Sequence, residues 1–412
     1  MEMEIGIEAI NFFSGRAFIN VRDIFTNRNL ELDRFQNLMM EKKSVGLPCE
    51  DPVTNAVNAA KHIIDRMTET EKNSIDLLIT CSESGIDFGK SLSTYVHDYL
   101  GLSRNCRVFE VKQACYAGTA ALSMACSYVR ASASDSKALV IATDIARAAA
   151  KHTYAEPSQG MGAVAMLISR NPQIIELDYG ANGFYSYEVM DTCRPLPDIE
   201  TGDPDLSLLS YLDCLEKSFK AYCDKVEGVD LMRSFDYLAF HTPFAGMVKG
   251  AHRKLIRSNL KIDANEIELD FKKRVEPSLK YCIQVGNVYS ATLYLALASL
   301  IDNALIDTPR RIGMFSYGSG CCSEFFSGIV TPVSKRIIAK MDMPEHLRDR
   351  YALTMEEYDR LLDLNMEWNF GVRDKEVNFN SFSKIYERYV EGRGLLVLKK
   401  IDKDWHREYI WT

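Results

Sequence analysis

Short apolar runs rich in β-branched residues alternate along the chain with longer stretches of helical spacing. Ile75 to Cys81 (IDLLITC), Arg107 to Val111 (RVFEV) and Ala138 to Thr143 (ALVIAT) are nearly unbroken apolar runs. That is the pattern of strands covered on both faces. Asp51 and Pro52 supply a cap and a first-turn residue, after which Val53, Val57, Ala60, Ile64 and Met67 recur at helical spacing. Tyr116 to Tyr128, rich in Ala, Leu and Met, reads as a buried helix. The second half repeats this grammar, with strands predicted at Asp236 to Phe240 and Arg311 to Tyr317 and a core helix at Ser290 to Leu305. Turn-rich sequence between about residues 170 and 200 separates the two, giving an α/β chain of two halves, 1–170 and 171–412. The last seventy residues or so are more charged and read as peripheral elements closed by a strand at Leu395 to Lys399.

Composition narrows the function. The 412 residues are 47% hydrophobic and 26% charged, as a globular protein requires, and the net charge of -8 argues against a nucleic-acid partner. The first residues, Met1-Glu2-Met3-Glu4, are acidic where a secretory signal is basic, and no run of eighteen apolar residues offers a membrane span. Eleven cysteines are scattered without the CxxC spacing of zinc sites, and the adjacent Cys321 and Cys322 are poorly placed for a bridge. The expectation is a cytoplasmic protein with reduced thiols and no metal.

Three residues stand where chemistry can be done, each just past a predicted strand. Cys115, in VKQACYAGT, begins the buried helix. A helix N-terminus stabilises a thiolate, lowering its pKa, and offers N–H groups to an oxyanion. A free cysteine is otherwise a small core residue; here Ala114, Ala117 and Gly118 leave room for a substrate. Glu83, in TCSESGID, is either a loop acid or a general base whose pKa partial desolvation raises, with Asp87 the more natural helix cap. His241, in FHTPF, is either structural or a proton donor to an alkoxide at neutral pH. Two glycine-rich stretches, EPSQGMGA from Glu156 and SYGSG from Ser316, permit close backbone approach but lack the order of a dinucleotide fingerprint or P-loop. Gly286-Asn287 could place an amide in the same cleft. The cluster Lys249, His252, Arg253, Lys254 and Arg257 is either the wet face of a helix or a docking patch for phosphate or an acidic carrier.

Taken together, CSESGID, FEVKQACYAGTA, ATDIAR, YAEPSQGMGAVAML, the Asp191 to Pro195 stretch, FHTPF, VGNVYSATLYL and FSYGSG resemble the 3-hydroxy-3-methylglutaryl (HMG) synthases of the thiolase superfamily. The resemblance runs in order from Gly6-Ile7-Glu8 to the C-terminal strand, and its Glu–Cys–His trio falls on Glu83, Cys115 and His241. It implies a five-layered αβαβα fold of two similar halves, usually a homodimer. It also implies that Cys115 accepts an acetyl group and Glu83 removes a methyl proton. The enolate then adds to a β-ketone that His241 contacts and whose alkoxide it helps protonate, and water releases the product. Backbone amides of Cys115 and of Ser316 or a neighbour would hold the enolate oxygen. Substrate-binding or supporting roles fall on Asn287, Gly286, Ser316, Asp144, Asp191 and Ser158. No cofactor is implied beyond the 4'-phosphopantetheine that arrives on the substrate.

ITCSESGIDFGKSLSTY, VMDTCRPLPD, HTPFAGMVKGAHR and YGSGCCSEFFSG look more narrowly like the HMG synthase homologues of bacterial polyketide β-branching cassettes. Those enzymes join acetyl on a donor acyl carrier protein to a β-ketoacyl chain on a second carrier. The primary-metabolism enzymes tend to carry Lys where this chain has Gly246, and an aromatic residue where it has Ala148, in the short loop from Arg147 to Tyr154. Lys249, Arg253, Lys254 and Arg257 would then meet the carrier or its phosphopantetheine. The rivals are an HMG-CoA synthase of mevalonate formation and a non-catalytic carrier-binding scaffold. Retention of all three catalytic residue types argues against the scaffold. A chain-elongating ketoacyl synthase would pair Cys with His–Asn or two His and have no Glu here.

Overall fold

The apolar runs become the strands of one continuous sheet. The computed structural model describes residues 4–133, 135–146, 150–196, 199–368 and 370–412, so that Arg147 and Ala148 lie outside the described residues. The sheet strands are β1 (Gly6–Phe13), β2 (Ile75–Cys81), β3 (Arg107–Val111), β4 (Lys137–Asp144), β5 (Gly162–Ser169), β6 (Ile175–Ser186), β7 (Tyr237–Phe240), β8 (Arg310–Gly318) and β9 (Cys322–Val330). Their spatial order is β7-β8-β9-β6-β1-β5-β4-β2-β3. β2 runs parallel to β3 and β4, and β7 parallel to β8; the remaining pairs are antiparallel. The halves meet at a narrow seam, where β1 and β6 pair only through Gly6–Glu176 and Ile7–Ile175.

Period-two alternation then builds the layers. In β5, Val164, Met166 and Ile168 face a central core, while Ala163, Ala165 and Leu167 face an outer one. In β7, Tyr237 and Ala239 face the same central core, and Leu238 and Phe240 face a third. Helices α1 (Pro52–Ile64), α2 (Ala117–Ala131), α3 (Pro204–Lys225), α4 (Ala245–Asn259) and α5 (Thr292–Asn303) fill the spaces. α2 and α5 lie in the central core, with Leu122, Val129, Leu293, Leu297 and Leu300 buried from both sides. α1 covers the outer face of the first half, and α3 and α4 that of the second. This is the five-layered αβαβα arrangement the resemblance implies. Each fully buried Leu or Ile in it contributes roughly 2 kcal/mol.

The boundaries differ from the predicted ones for local reasons. α1 is capped by Asp51, whose side chain accepts from the Thr54 N–H at 2.9 Å. It ends before Met67 because Thr68 and Glu71 form the capping box of the next helix, Glu69–Asn73. α5 starts later than Ser290 because a short 3-10 turn, Tyr289–Ala291, precedes it. The C-terminal strand, Leu396–Ile401, pairs with Arg407–Trp411 and is tied to the first half by Asn58–Leu396 hydrogen bonds and by the Leu398 N–H to Cys49 at 2.8 Å. Residues such as Leu353, Tyr358, Leu361 and Val397 pack into the first half's outer core. The C-terminal elements thus cover the outer face of the first half. Among the described residues, no helix is long and apolar enough to cross a membrane.

Candidate active site

The carboxyl ends of β2, β3, β7 and β8 open on one cavity of about 1150 Å³, which Glu83, Cys115 and His241 all line. Ligands of parallel sheets bind outside such strand ends because the following loops can vary while the strands hold them rigidly. Cys115 sits on the turn between β3 and α2, where Ala114 adopts a left-handed φ of 42° and Tyr116 N–H closes on Gln113 at 3.0 Å. The end of β8 presses directly against this turn: a Cβ on Gly318 would lie 2.5 Å from the Gln113 carbonyl oxygen. Only glycine allows the two halves to meet there.

The Cys115 thiol donates to Glu83 Oε1 at 3.3 Å. Burial pushes the thiol well above its ordinary range, the Glu83 and Asp144 carboxylates push it further, and Arg194 opposes them. This corrects the expected thiolate. Cys115 stands two residues ahead of the helix proper, and burial plus two carboxylates outweigh the helix terminus. The resting nucleophile is a neutral thiol with a base in contact.

Behind Glu83 lies fully buried Asp144, at the end of β4. Its Oδ1 accepts from Ser82 Oγ, the Glu83 and Ser84 N–H groups and Ser84 Oγ, at 2.8 to 3.1 Å. Burial and the Glu83 charge hold the Asp144 carboxyl well above the usual carboxylate range. Asp191, also fully buried, accepts from Tyr317 OH at 2.6 Å and from Gly320 N–H at 2.9 Å. Ser316 Oγ accepts from Thr119 Oγ1 at 2.8 Å and does not line the cavity. These three brace the site from behind; they offer substrate no surface, contrary to a direct binding role. Tyr317 and Ser319, not Ser316, reach the cavity from that strand and its turn.

His241 follows β7 with 1% exposure, its N–H donating to Phe315 O at 2.8 Å and its carbonyl accepting from Tyr211 OH at 2.6 Å. Burial lowers its pKa to about 3. The imidazole is therefore neutral at neutral pH: it offers a ring N–H, and gives up a proton only as a negative charge develops beside it. Asn287 N–H donates to Ser158 O at 2.7 Å and Gly160 N–H donates to Asn287 O at 2.9 Å, stitching the two predicted loops together. Gly286 makes the turn with φ 91°. Asn287 Oδ1 accepts from Tyr289 N–H and Thr292 Oγ1, which fixes the amide at the cavity wall beside Ser158.

The basic cluster separates. His252 is buried against Asp270 at 2.7 Å, Lys249 pairs with Glu268 at 2.9 Å and Lys254 with Glu216 at 3.4 Å, leaving Arg253 and Arg257 exposed. None of them lines the cavity, whose cations are instead Arg34, Lys90, Lys112 and Arg194. α4 turns its apolar face to the third core and so spreads these residues over helix flanks that salt bridges already occupy. Arg194 escaped the sequence reading, although it stands inside the Asp191 to Pro195 marker. It enters on a hairpin, Thr192–Leu196 with Ile199–Gly202, that no periodicity announces. Arg194 lies 3.3 Å from Glu83 and 2.9 Å from Glu200, its guanidinium 4.6 Å from the Tyr289 ring centre.

A buried thiol, a contacting carboxylate, a neutral imidazole and a fixed amide around one cavity suit acyl transfer to sulfur followed by carbanion formation at that acyl group. Comparison with known proteins gives the same direction. Residues 2–173 match the N-terminal and residues 257–411 the C-terminal model of hydroxymethylglutaryl-coenzyme A synthase. The polyketide biosynthesis 3-hydroxy-3-methylglutaryl-ACP synthase PksG of Bacillus subtilis (strain 168) is 53% identical over 98% of this chain and 99% of its own. A hydroxymethylglutaryl-CoA synthase of Enterococcus faecalis is 34% identical over 87% of this chain and 91% of its own. The curacin biosynthetic pathway HMG synthase in complex with acetyl donor-ACP superposes with a TM-score of 0.96 at 54% identity, covering 99% of this chain and 100% of that one.

Proposed function

The chain belongs to the hydroxymethylglutaryl-CoA synthase family, and from that premise we propose that it condenses an acetyl group from a donor acyl carrier protein with the β-ketone of a chain on an acceptor carrier. The observation that carries this reading is the Cys115 thiol 3.3 Å from Glu83 on a cavity shared with His241. The Cys115 sulfur, beside Glu83, attacks the acetyl thioester, and the thiol proton passes to the departing pantetheine sulfur. With the acetyl group on Cys115, the same carboxylate stands beside its methyl group and removes a proton. The enolate carbon adds to the β-ketone, whose oxygen takes a proton from the neutral His241 N–H as charge develops on it, and the proton Glu83 removed returns through the cavity to restore the imidazole. Water then cleaves the Cys115 thioester, leaving a branch that ends in a carboxylate on the acceptor chain.

Carrier proteins rather than free CoA as substrates are supported by the 53% identity to an HMG-ACP synthase and the likeness to a structure holding acetyl donor-ACP. Gly246, in place of the Lys of primary metabolism, supports the same choice. In this reading the enzyme is a cytoplasmic homodimer of polyketide β-branching, and it uses no cofactor beyond the phosphopantetheine on its substrates. The test is a reaction with acetyl-carrier and β-ketoacyl-carrier, followed by intact mass of the acceptor. The acceptor should gain the mass of one acetic acid. An acceptor left unchanged, while acetoacetyl-CoA and acetyl-CoA turn over efficiently to HMG-CoA, would contradict the proposal.

A further inference from the structure

Glu83 must be a carboxylate, aimed at the acyl methyl, inside a pocket that disfavours charge. Asp144 lies behind it, the Cys115 thiol in front, and Tyr289 and Glu200 beside Arg194, so most titratable neighbours are acidic. Burial beside like charge returns a proton to a carboxylate unless a cation offsets it. Arg194 is that cation: 3.3 Å from Glu83 Oε2, with side-chain exposure of 11%. The contact is made by its Nη1, which is buried and sits beside the carboxylate as an ion pair without hydrogen-bond geometry. The guanidinium is held from the other side by Glu200 at 2.9 Å, which also accepts from Gln159 Nε2, and from below by the Tyr289 ring. A chain of contacts thus runs from Gln159, next to the Gly160–Asn287 stitch, through Glu200 and Arg194 to Glu83.

We infer that Arg194, bridged between Glu83 and Glu200 on the hairpin, is the positioning residue that keeps Glu83 ionised and aimed at the acyl group on Cys115. The inference rests on the proposed condensation but concerns only the step after loading. Only a planar fork spans both carboxylates; an ammonium reaches one. Glu83 and Asp144 each disfavour the other's charge, and the guanidinium, in contact with Glu83, offsets that for Glu83.

The experiment loads Cys115 of wild type, Arg194→Gln and Arg194→Lys from acetyl-carrier or acetyl-CoA, whichever serves. Single-turnover condensation with the β-ketoacyl acceptor is then followed across pH. Arg194→Gln should load fully, condense about 100-fold more slowly at neutral pH, and show its rate midpoint at least about one unit higher. Arg194→Lys keeps the buried charge, and so tests the idea even if the neutral variant fails to fold. It should lose about tenfold in condensation with loading unchanged. Condensation by Arg194→Lys within about twofold of wild type, or by Arg194→Gln with an unmoved midpoint, overturns the inference. A wrong donor assignment would show instead in wild-type loading, before this step is reached.

Discussion

Cys115 is held by two opposed influences. A helix start favours its thiolate, whereas burial and the carboxylates of Glu83 and Asp144 favour its thiol, and the second set wins. The consequence can be measured. Glu83→Ala removes one of the groups that push the thiol up and leaves Arg194 facing it, so the thiol should become more acidic. Iodoacetamide at neutral pH should therefore alkylate Cys115 faster in the variant than in wild type. The variant should still accept acetyl, yet condense at least about 100-fold more slowly, the usual effect of losing a positioned base. Condensation at the wild-type rate would remove Glu83 from its assigned role. Cys115, Glu83 and His241 were all legible in the sequence because each follows an apolar run that ends as a strand. The direction of their pKa values was not, because it depends on partners such as Asp144 and Arg194 that are distant in sequence.

At the scale of elements, the strands and buried helices followed their patterns closely, with β2 and β3 beginning and ending where the apolar runs do. What escaped was the packing of polar segments. The hairpin Thr192–Leu196/Ile199–Gly202 has half-exposed strands and no alternation to betray it. The basic cluster looked like one patch but wraps around α4, where one face must be apolar. Gly246 shows how such packing is fixed. A Cβ at this position would lie 1.7 Å from the carbonyl oxygen of Asn37, on the helix Leu32–Leu38 whose end forms part of the cavity wall. Two backbones touch there with no space for a side chain. Gly246→Ala should cost about 2 kcal/mol, read as a lower denaturation midpoint with unchanged slope. The Lys of the primary-metabolism enzymes cannot be restored here without moving that helix. A Gly246→Ala protein as stable as wild type would show that the segment gives way freely.

For the molecule as a whole, five layers place two strand-end surfaces across one cavity and leave its mouth open to solvent. Phe88, 96% exposed and 4.6 Å from the Phe370 ring centre, stands at that mouth with Lys90 and Lys112. A chain of net charge -8 repels an acidic carrier at long range, so local cations at the rim must outweigh that repulsion for docking. The overall α/β fold could be read from the sequence. The return of the C-terminal residues onto the first half could not, because strand Leu396–Ile401 finds its partners, Asn58 and Cys49, more than three hundred residues away. The central claim is that Cys115 takes its acetyl group from a carrier protein. The most direct test is intact-mass analysis of the enzyme after brief mixing with equal concentrations of acetyl-carrier protein or of acetyl-CoA. One acetyl group, mapped to Cys115 and formed much faster from the carrier-bound donor, is the result this account predicts. Equal or faster loading from acetyl-CoA, or an acetyl group absent from Cys115, would contradict it.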